Sequence, residues 1–436
     1  MAGTELGWYS EQNEKVLGAI VQDRTDRDYV CIVMGRDRIG RYRAVHLSEW
    51  FPTIGRARAA MSEILPEWAA KDPAEYEQGD EPRQPMDFFR PRHPAEQLNP
   101  LFSKLAGEAF SPAKGIMEAM MYYFQDPDGN FVEQFQSTAF DARLWELYLF
   151  AVLGELRYHV DRTHPAPDYL CNGLLGSFFI EAVTVGPTMR QGQSIETGKP
   201  EAEAELELYM KHYLPIKFAG PLTNKLSRRY WEEAHIAGRP IVLAVADFHY
   251  PMSLTWSQTS LITYLYGHLH KWHHDEGGKL VIEPERIDEH VWGAKRVPSG
   301  FFNLPDAQNI SAVISSREAT ISKFNRIGLK AAFGSPRVRM IRAGKRYVHD
   351  PNRAEPEEFA IEVHGANYHE SWIDGLEVYH NPNAAIPLDP DLLPGANQHF
   401  FRDGRIASYM TGTQVFGTVT IIRLEGEKGQ ISAESV

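Results

Sequence analysis

Cysteine is nearly absent from this chain. Cys31 and Cys171 are the only cysteines in 436 residues, which excludes a disulfide framework and any thiolate zinc-site spacing. A Walker A loop, a G-x-G-x-x-G turn, a G-x-S-x-G elbow and an H-E-x-x-H pair are also missing. ATPase, dinucleotide and serine-hydrolase readings are therefore disfavoured. No apolar run approaches the roughly 18 residues of a membrane span. The opening "MAGTELGWYSEQNEK" lacks the basic and apolar regions of a signal peptide, so the expectation is a cytoplasmic protein with no membrane partner.

What is present suits a folded chain. With 43% hydrophobic and 24% charged residues it falls among globular proteins, and at roughly 150 residues per domain its length allows two or three domains. The net charge of -13 does not decide the partner, because a local basic face can bind nucleic acid on an acidic protein.

Residues 15 to 47 read as a three-stranded meander, "KVLGAIVQ", "YVCIVMGR" and "RYRAVHLS". A helix follows in "TIGRARAAMSEILPEW", with Thr53 as its N-cap. Together they define a small β-rich module over residues 1 to 80. Pro73, Pro82, Pro85, Pro91 and Pro94 break the connector that follows. It leads into a helix in "SPAKGIMEAMMYYFQ", with Ser111 at the cap and Pro112 at the first helical position. From residue 130 to 270 the order reads helix, three strands, two helices, strand, helix, an α/β layered domain with a central mixed sheet. The helix is "FDARLWELYLFAVLGELRY", Asn172-Gly173 is a turn signal, and "RPIVLAVADFH" is apolar enough for a central strand. Residues 271 to 436 read as a C-terminal mixed α/β region.

One feature in this core calls for chemistry. "SFFIEAVTV" reads as a buried strand, and alternation puts Phe179, Glu181 and Val183 on one face. A carboxylate there needs a partner or a metal. Asp168 precedes it by one short hairpin, so both acids can reach one end of the sheet. Two oxygen ligands beside an open position suit Mg²⁺ or Mn²⁺, and a cation relieves their mutual repulsion. Glu146 on the preceding helix is a third candidate ligand, or a group that orients water.

The stretch from Phe140 to Val185, a helix with a glutamate, then Pro167-Asp168, then Glu181 two places before Val183, resembles the core of the PD-(D/E)XK nuclease superfamily, also called restriction-endonuclease-like. The resemblance covers about residues 130 to 270. It implies a restriction-endonuclease-like layered core and a metal-dependent endonuclease, with DNA as the default substrate and RNA open. Asp168 and Glu181 would be the metal ligands and Glu146 the helix carboxylate. Val183 occupies the position where the family carries its lysine. Members can supply that lysine from a neighbouring helix, and Lys225 in "NKLSRRYW" is the candidate here. Arg229, at i+4, would share its helix face, with Arg228 beside it and Tyr230 helping to position the site.

Residues 322 to 346 hold eight basic residues and no acidic one. Lys323, Arg326 and Lys330 fall at helical spacing, and Arg337, Arg339 and Arg342 follow in a strand-like run. They are expected either to contact nucleic-acid phosphates or to dock on an acidic partner. His268, His270, His273 and His274 could ligate zinc but read better as a solvated helix end. His159, Asp161 and His164 sit just ahead of Asp168 as auxiliary groups. Beside the endonuclease stands a second reading, a nuclease fold that has lost catalysis and serves as a nucleic-acid-binding or scaffolding subunit. A third, a metal-free two-carboxylate hydrolase, ranks below both. A homodimer or a protein partner is compatible with each.

Overall fold

The computed structural model describes residues 3–426 and 432–434, except 39, 80–86, 165, 197, 237, 349, 351, 354 and 413. The chain divides into two compact units, Met1–Asp87 with Met121–Tyr123, and Phe88–Met120 with Phe124–Val436. The domain boundary expected near residue 80, with Pro82 and Pro85, lies outside the described residues.

In the first unit, β1 (Gly3–Glu11), β2 (Val16–Asp23), β3 (Tyr29–Arg36) and β4 (Tyr42–Leu47) form an antiparallel sheet in sequence order. Alternation in β2 and β3 turns Val16, Ile20, Cys31 and Val33 toward Ala57, Met61 and Leu65 of α1 (Ile54–Ala69). Thr53 caps α1, its side chain accepting from Arg56 N–H. β1 adds a fourth strand to the expected three; its half-exposed residues gave no apolar signal.

The second unit begins with α2 (Pro100–Leu105), α3 (Ser111–Met120) and α4 (Phe131–Phe135), and then α5 (Phe140–Glu155). β5 (His159–Asp161), β6 (Tyr169–Gly173) and β7 (Gly176–Val185) follow as an antiparallel meander. After the short hairpin β8 (Met189–Arg190) and β9 (Gln193–Ser194), α6 (Glu203–Leu208) continues through a π-helical turn into α7 (Leu214–Leu226). β10 (Ile241–Asp247) is buried along its whole length. Beyond it lie α8 (Ser253–Trp256), α9 (Gln258–Tyr266) and the hairpins β11 (His268–His274) with β12 (Leu280–Arg286) and β13 (Glu289–Trp292) with β14 (Lys295–Pro298). Then come β15 (Ala312–Ser316), α10 (Ile321–Lys330), β16 (Val338–Arg346), β17 (Glu357–Glu362), β18 (Leu376–His380), β19 (Asn397–Arg402), β20 (Arg405–Tyr409), β21 (Val415–Leu424) and β22 (Ser432–Glu434).

The central sheet has eight strands in the order β20-β19-β18-β15-β10-β7-β6-β5. β7, β10 and β15 run parallel at its middle, flanked by antiparallel pairs, so the sheet is mixed. Phe179, Val183, Leu243 and Val245 pack with Phe218 and Leu222 of α7 and Leu261 and Leu265 of α9. The alternate residues Phe178, Ile180, Val242 and Ala244 are buried too, and Trp145 of α5 donates its indole N–H to Ala244 O at 2.9 Å. Cover on both faces explains why β7 and β10 read as near-continuous apolar runs. Four strands of this sheet, β15, β18, β19 and β20, come from residues beyond 270, so the expected core and C-terminal region share one sheet. β16, β17, β21 and β22 form a separate antiparallel sheet.

Two local expectations are corrected. The β6–β7 turn is Leu174-Leu175, not Asn172-Gly173; Gly173 pairs with Gly176, and a Cβ on Gly173 would meet the Tyr158 ring at 2.3 Å. That glycine marks a close approach. The histidine run is a strand, because Gly267, at φ 71, ends α9 and turns the chain into β11. Among the described residues no helix is long and apolar enough to cross a membrane.

Candidate active site

Asp168 is the residue before β6, and the register Tyr169 opposite Ile180 sets it beside Glu181 and Ala182 of β7. The two chains lock there. Asp168 N–H donates to Glu181 Oε2 at 3.2 Å, and Ala182 N–H donates to Asp168 Oδ2 at 2.7 Å. Glu181 is buried, on the side of β7 that packs against α7. Lys225, in the last turn of α7, donates its ammonium to Glu181 Oε1 in a short ion pair. Tyr230 O–H donates to the same oxygen at 2.8 Å. The carboxylate inside an apolar strand therefore has three donors, which answers the cost of burying it.

Glu146 enters from the middle of α5. Its Oε1 accepts from Arg143 at 2.6 Å and its Oε2 from Arg162 at 3.1 Å. Arg162 is itself buried, with its guanidinium 4.6 Å from the Phe124 ring centroid and 5.0 Å from that of Tyr169. Arg143, Glu146, Arg162, Asp168, Ala182 and Lys225 line one cavity of about 200 Å³, joined by Asp128 and His164. The His164 ring stacks on His235 at 4.0 Å. His159 and Asp161 lie in β5, where Asp161 Oδ1 accepts from Thr163 N–H.

The electrostatics are uneven. Burial, then the neighbouring charges of Glu181 and Glu146, push Asp168 up to about 7, against the lowering pull of Ala182 N–H and Lys225. Burial also raises Glu146, with Arg143 and Arg162 opposing it. Among the described residues, Asp168 Oδ1 accepts no hydrogen bond, and no group of three or more His, Cys, Asp or Glu side chains is gathered as a metal cage. The carboxylate oxygen left open to a cation is thus Asp168 Oδ1, with Glu181 beside it; Mg²⁺ is commonly held by one or two carboxylates, with waters completing the shell. Both oxygens of Glu146 are engaged by guanidinium groups, and both oxygens of Glu181 by Asp168 N–H, Lys225 and Tyr230, so a cation would compete with these partners at either residue.

The basic candidates separate. Lys225 joins the site. Arg229 does not share its helix face: α7 ends at Leu226, and Arg229, at φ 53, pairs with Glu232 in solvent. Arg228 is exposed beside it. Lys323, Arg326 and Arg342 are buried and cannot form the expected phosphate-contact surface. Lys323 donates to the carbonyls of Trp372 and Asp374, while Arg326 and Arg342 both pair with Glu318 and Glu370. Lys330, Arg337 and Arg339 stay at the surface, where Arg337 meets Glu108 and Arg339 meets Glu425. Sequence reasoning missed Arg143 and Arg162. The position of Arg143 three residues before Glu146 was a usable signal; Arg162 in a polar loop carried none.

No family model matches this chain, and no curated protein or solved structure matches it.

Proposed function

We propose that the chain is a divalent-metal-dependent nuclease of the PD-(D/E)XK type that hydrolyses phosphodiester bonds, with DNA as the default substrate and RNA open. The observation that carries this reading is Lys225 reaching Glu181 beside Asp168. A lysine from the neighbouring helix thereby stands at the site where Val183 leaves the strand without one. The run of α5, three strands, α6, α7, β10 and a further helix supports the restriction-endonuclease-like layering.

Asp168 and Glu181 would hold Mg²⁺ or Mn²⁺, whose chemistry there is to polarise a phosphoryl oxygen and acidify a bound water. The chain's own groups divide the remaining work. Glu181 fixes the Lys225 ammonium at the cavity, where it can position a water and offset developing negative charge. Glu146 holds Arg143 and Arg162 in place, and their guanidinium groups suit phosphate oxygens. The competing scaffold reading draws on the two Glu181 oxygens, both already hydrogen-bonded within the chain.

Single-turnover cleavage of DNA and RNA with Mg²⁺ or Mn²⁺, with metal binding followed by calorimetry, tests the proposal. Chelator, Asp168→Ala and Glu181→Ala should each bring cleavage to background. Lys225→Ala should slow the chemical step by about 10²–10³-fold with nucleic-acid affinity retained. Full activity in a folded Asp168→Ala protein refutes the site. Metal binding without cleavage of any substrate selects the scaffold, and Val183→Lys should then restore activity that it cannot add to an enzyme using Lys225.

A further inference from the structure

A second cavity, of about 560 Å³, lies where the parallel strands end. Asp247 closes β10 and lines it, as do Pro187 just beyond β7 and Ala319 just beyond β15. Crevices outside the carboxyl ends of parallel strands are where open α/β sheets take ligands. The lining is chiefly apolar, with Leu101, Leu144, Met252, Leu254 and Ile321 among its residues. Three charged residues interrupt it, the carboxylates Asp247 and Asp141 and the ammonium of Lys104.

Asp247 is the informative one. It is 3% exposed, and its Oδ1 accepts from His249 N–H at 3.1 Å and lies 2.7 Å from His249 Nδ1. His249 Nε2 in turn lies 3.0 Å from the Tyr209 hydroxyl. This relay fixes the carboxylate but uses only one of its oxygens. Among the described residues, none donates to the buried Asp247 Oδ2. A buried acceptor left without a donor is costly, and it persists in folded chains mainly where a ligand or function needs it. The loop after β10 adds strain: Met252, which also lines the cavity, sits in the left-handed region at φ 64. Asp141 faces the same space from the first turn of α5; burial pushes its carboxyl up to about 6, which leaves it largely ionised at neutral pH.

We propose that this cavity binds a small organic cation, an apolar or aromatic body carrying a protonated amine drawn to the Asp247 and Asp141 carboxylates. The body suits the apolar walls, and the charge meets carboxylates in a site of low dielectric, where the attraction is stronger than in water. The two carboxylates outnumber the one lysine, Lys104, so the balance of charge favours a cation over an anion. The proposal does not rest on the nuclease reading, since none of its residues is assigned to phosphodiester chemistry.

Calorimetry on the full chain with phenethylamine, phenethyl alcohol and 3-phenylpropionate tests it. Phenethylamine should bind most tightly and 3-phenylpropionate not at all. Asp247→Asn should weaken the amine by about tenfold or more and leave the alcohol unchanged, the scale of one hydrogen bond to a charged group. Leu101→Trp, from a half-buried wall position, should block amine and alcohol alike while circular dichroism and Tm stay as in the parent. No phenethylamine binding at millimolar concentration overturns the proposal, as does equal affinity for the alcohol. If Asp247→Asn fails to fold, full amine binding by folded Leu101→Trp overturns it.

Discussion

Two buried clusters of charge sit in the same unit of this chain, and they are built on opposite terms. In the cluster around α10, Glu370 accepts from Arg326 through both oxygens, at 2.6 and 2.9 Å, and Glu318 accepts from Arg326 and Arg342 at 2.8 and 2.9 Å. Burial alone would raise these acids, yet the two arginines outweigh it and hold both carboxyls below their usual range. In the cluster around Asp168 the sum goes the other way. Burial and two neighbouring carboxylates outweigh one backbone N–H and one lysine, and Asp168 rises to about 7. The first cluster is electrostatically settled. The second holds an acid whose charge the chain does not neutralise, the condition that marks functional sites more often than structural ones.

Removing an arginine from the settled cluster should produce the largest effect on stability. Arg326→Ala leaves Glu318 and Glu370 buried with fewer cations, and loss of one partner from a buried pair costs about 3–5 kcal/mol. Urea unfolding should show that loss, and any fall in cleavage should follow the folded fraction. Lys225→Ala, which leaves Glu181 its Tyr230 and Asp168 N–H donors, should cost less stability than Arg326→Ala and lower cleavage well beyond any fall in the folded fraction. An Arg326→Ala chain as stable as the parent would break the contrast between the two clusters.

A smaller effect should separate them by pH. Asp168 titrates near 7 in the folded chain, against an ordinary 3.8. Between those values the folded chain holds a proton that the unfolded chain has released. The stabilisation is complete below about pH 4 and is lost as pH rises through 7. Without added metal, the parent should therefore lose Tm between pH 5 and pH 8 relative to Asp168→Asn, whose side chain carries no charge. Mg²⁺ or Mn²⁺ at pH 8 should narrow the gap in the parent and leave the variant unmoved. A gap that ignores both pH and metal would mean that Asp168 is settled after all.

The sequence reached the unsettled cluster and misjudged the settled one for a physical reason. Glu181 stands out because a carboxylate in an apolar strand is costly, and that cost is visible in one dimension. Lys225 stands out only through the resemblance to a superfamily whose members can move their lysine, and the end of α7 brings its side chain to Glu181. Arg326 and Arg342 lie in a run without acids, so they read as a free surface. Their partners Glu318 and Glu370 stand outside that run, Glu370 in a turn-rich stretch where local spacing gives no hint of pairing. The same blindness to distant pairing hid the shared sheet: β18 and β19 join β15 from beyond residue 370, and no local pattern announces the partner of a strand.

The smallest effect belongs to the part of the basic segment that did stay outside. Arg337 meets Glu108 at 3.0 Å and Arg339 meets Glu425 at 2.9 Å, both pairs largely in solvent. Exposed pairs contribute about 0–1 kcal/mol, so Arg337→Ala/Arg339→Ala should unfold within that margin of the parent. The test that sharpens the comparison is nucleic-acid affinity over a salt series. If both arginines contact duplex phosphates, their loss should flatten the slope of log affinity against log salt by about 1.8, the release of two counterions. Each already faces a carboxylate of its own chain, and the proposed cleavage site presents Arg143, Arg162 and Lys225 instead. The expected outcome is therefore an unchanged affinity and slope in this double variant. A slope that falls in Arg337→Ala/Arg339→Ala would return this segment to the binding surface and place nucleic acid across two faces of the unit.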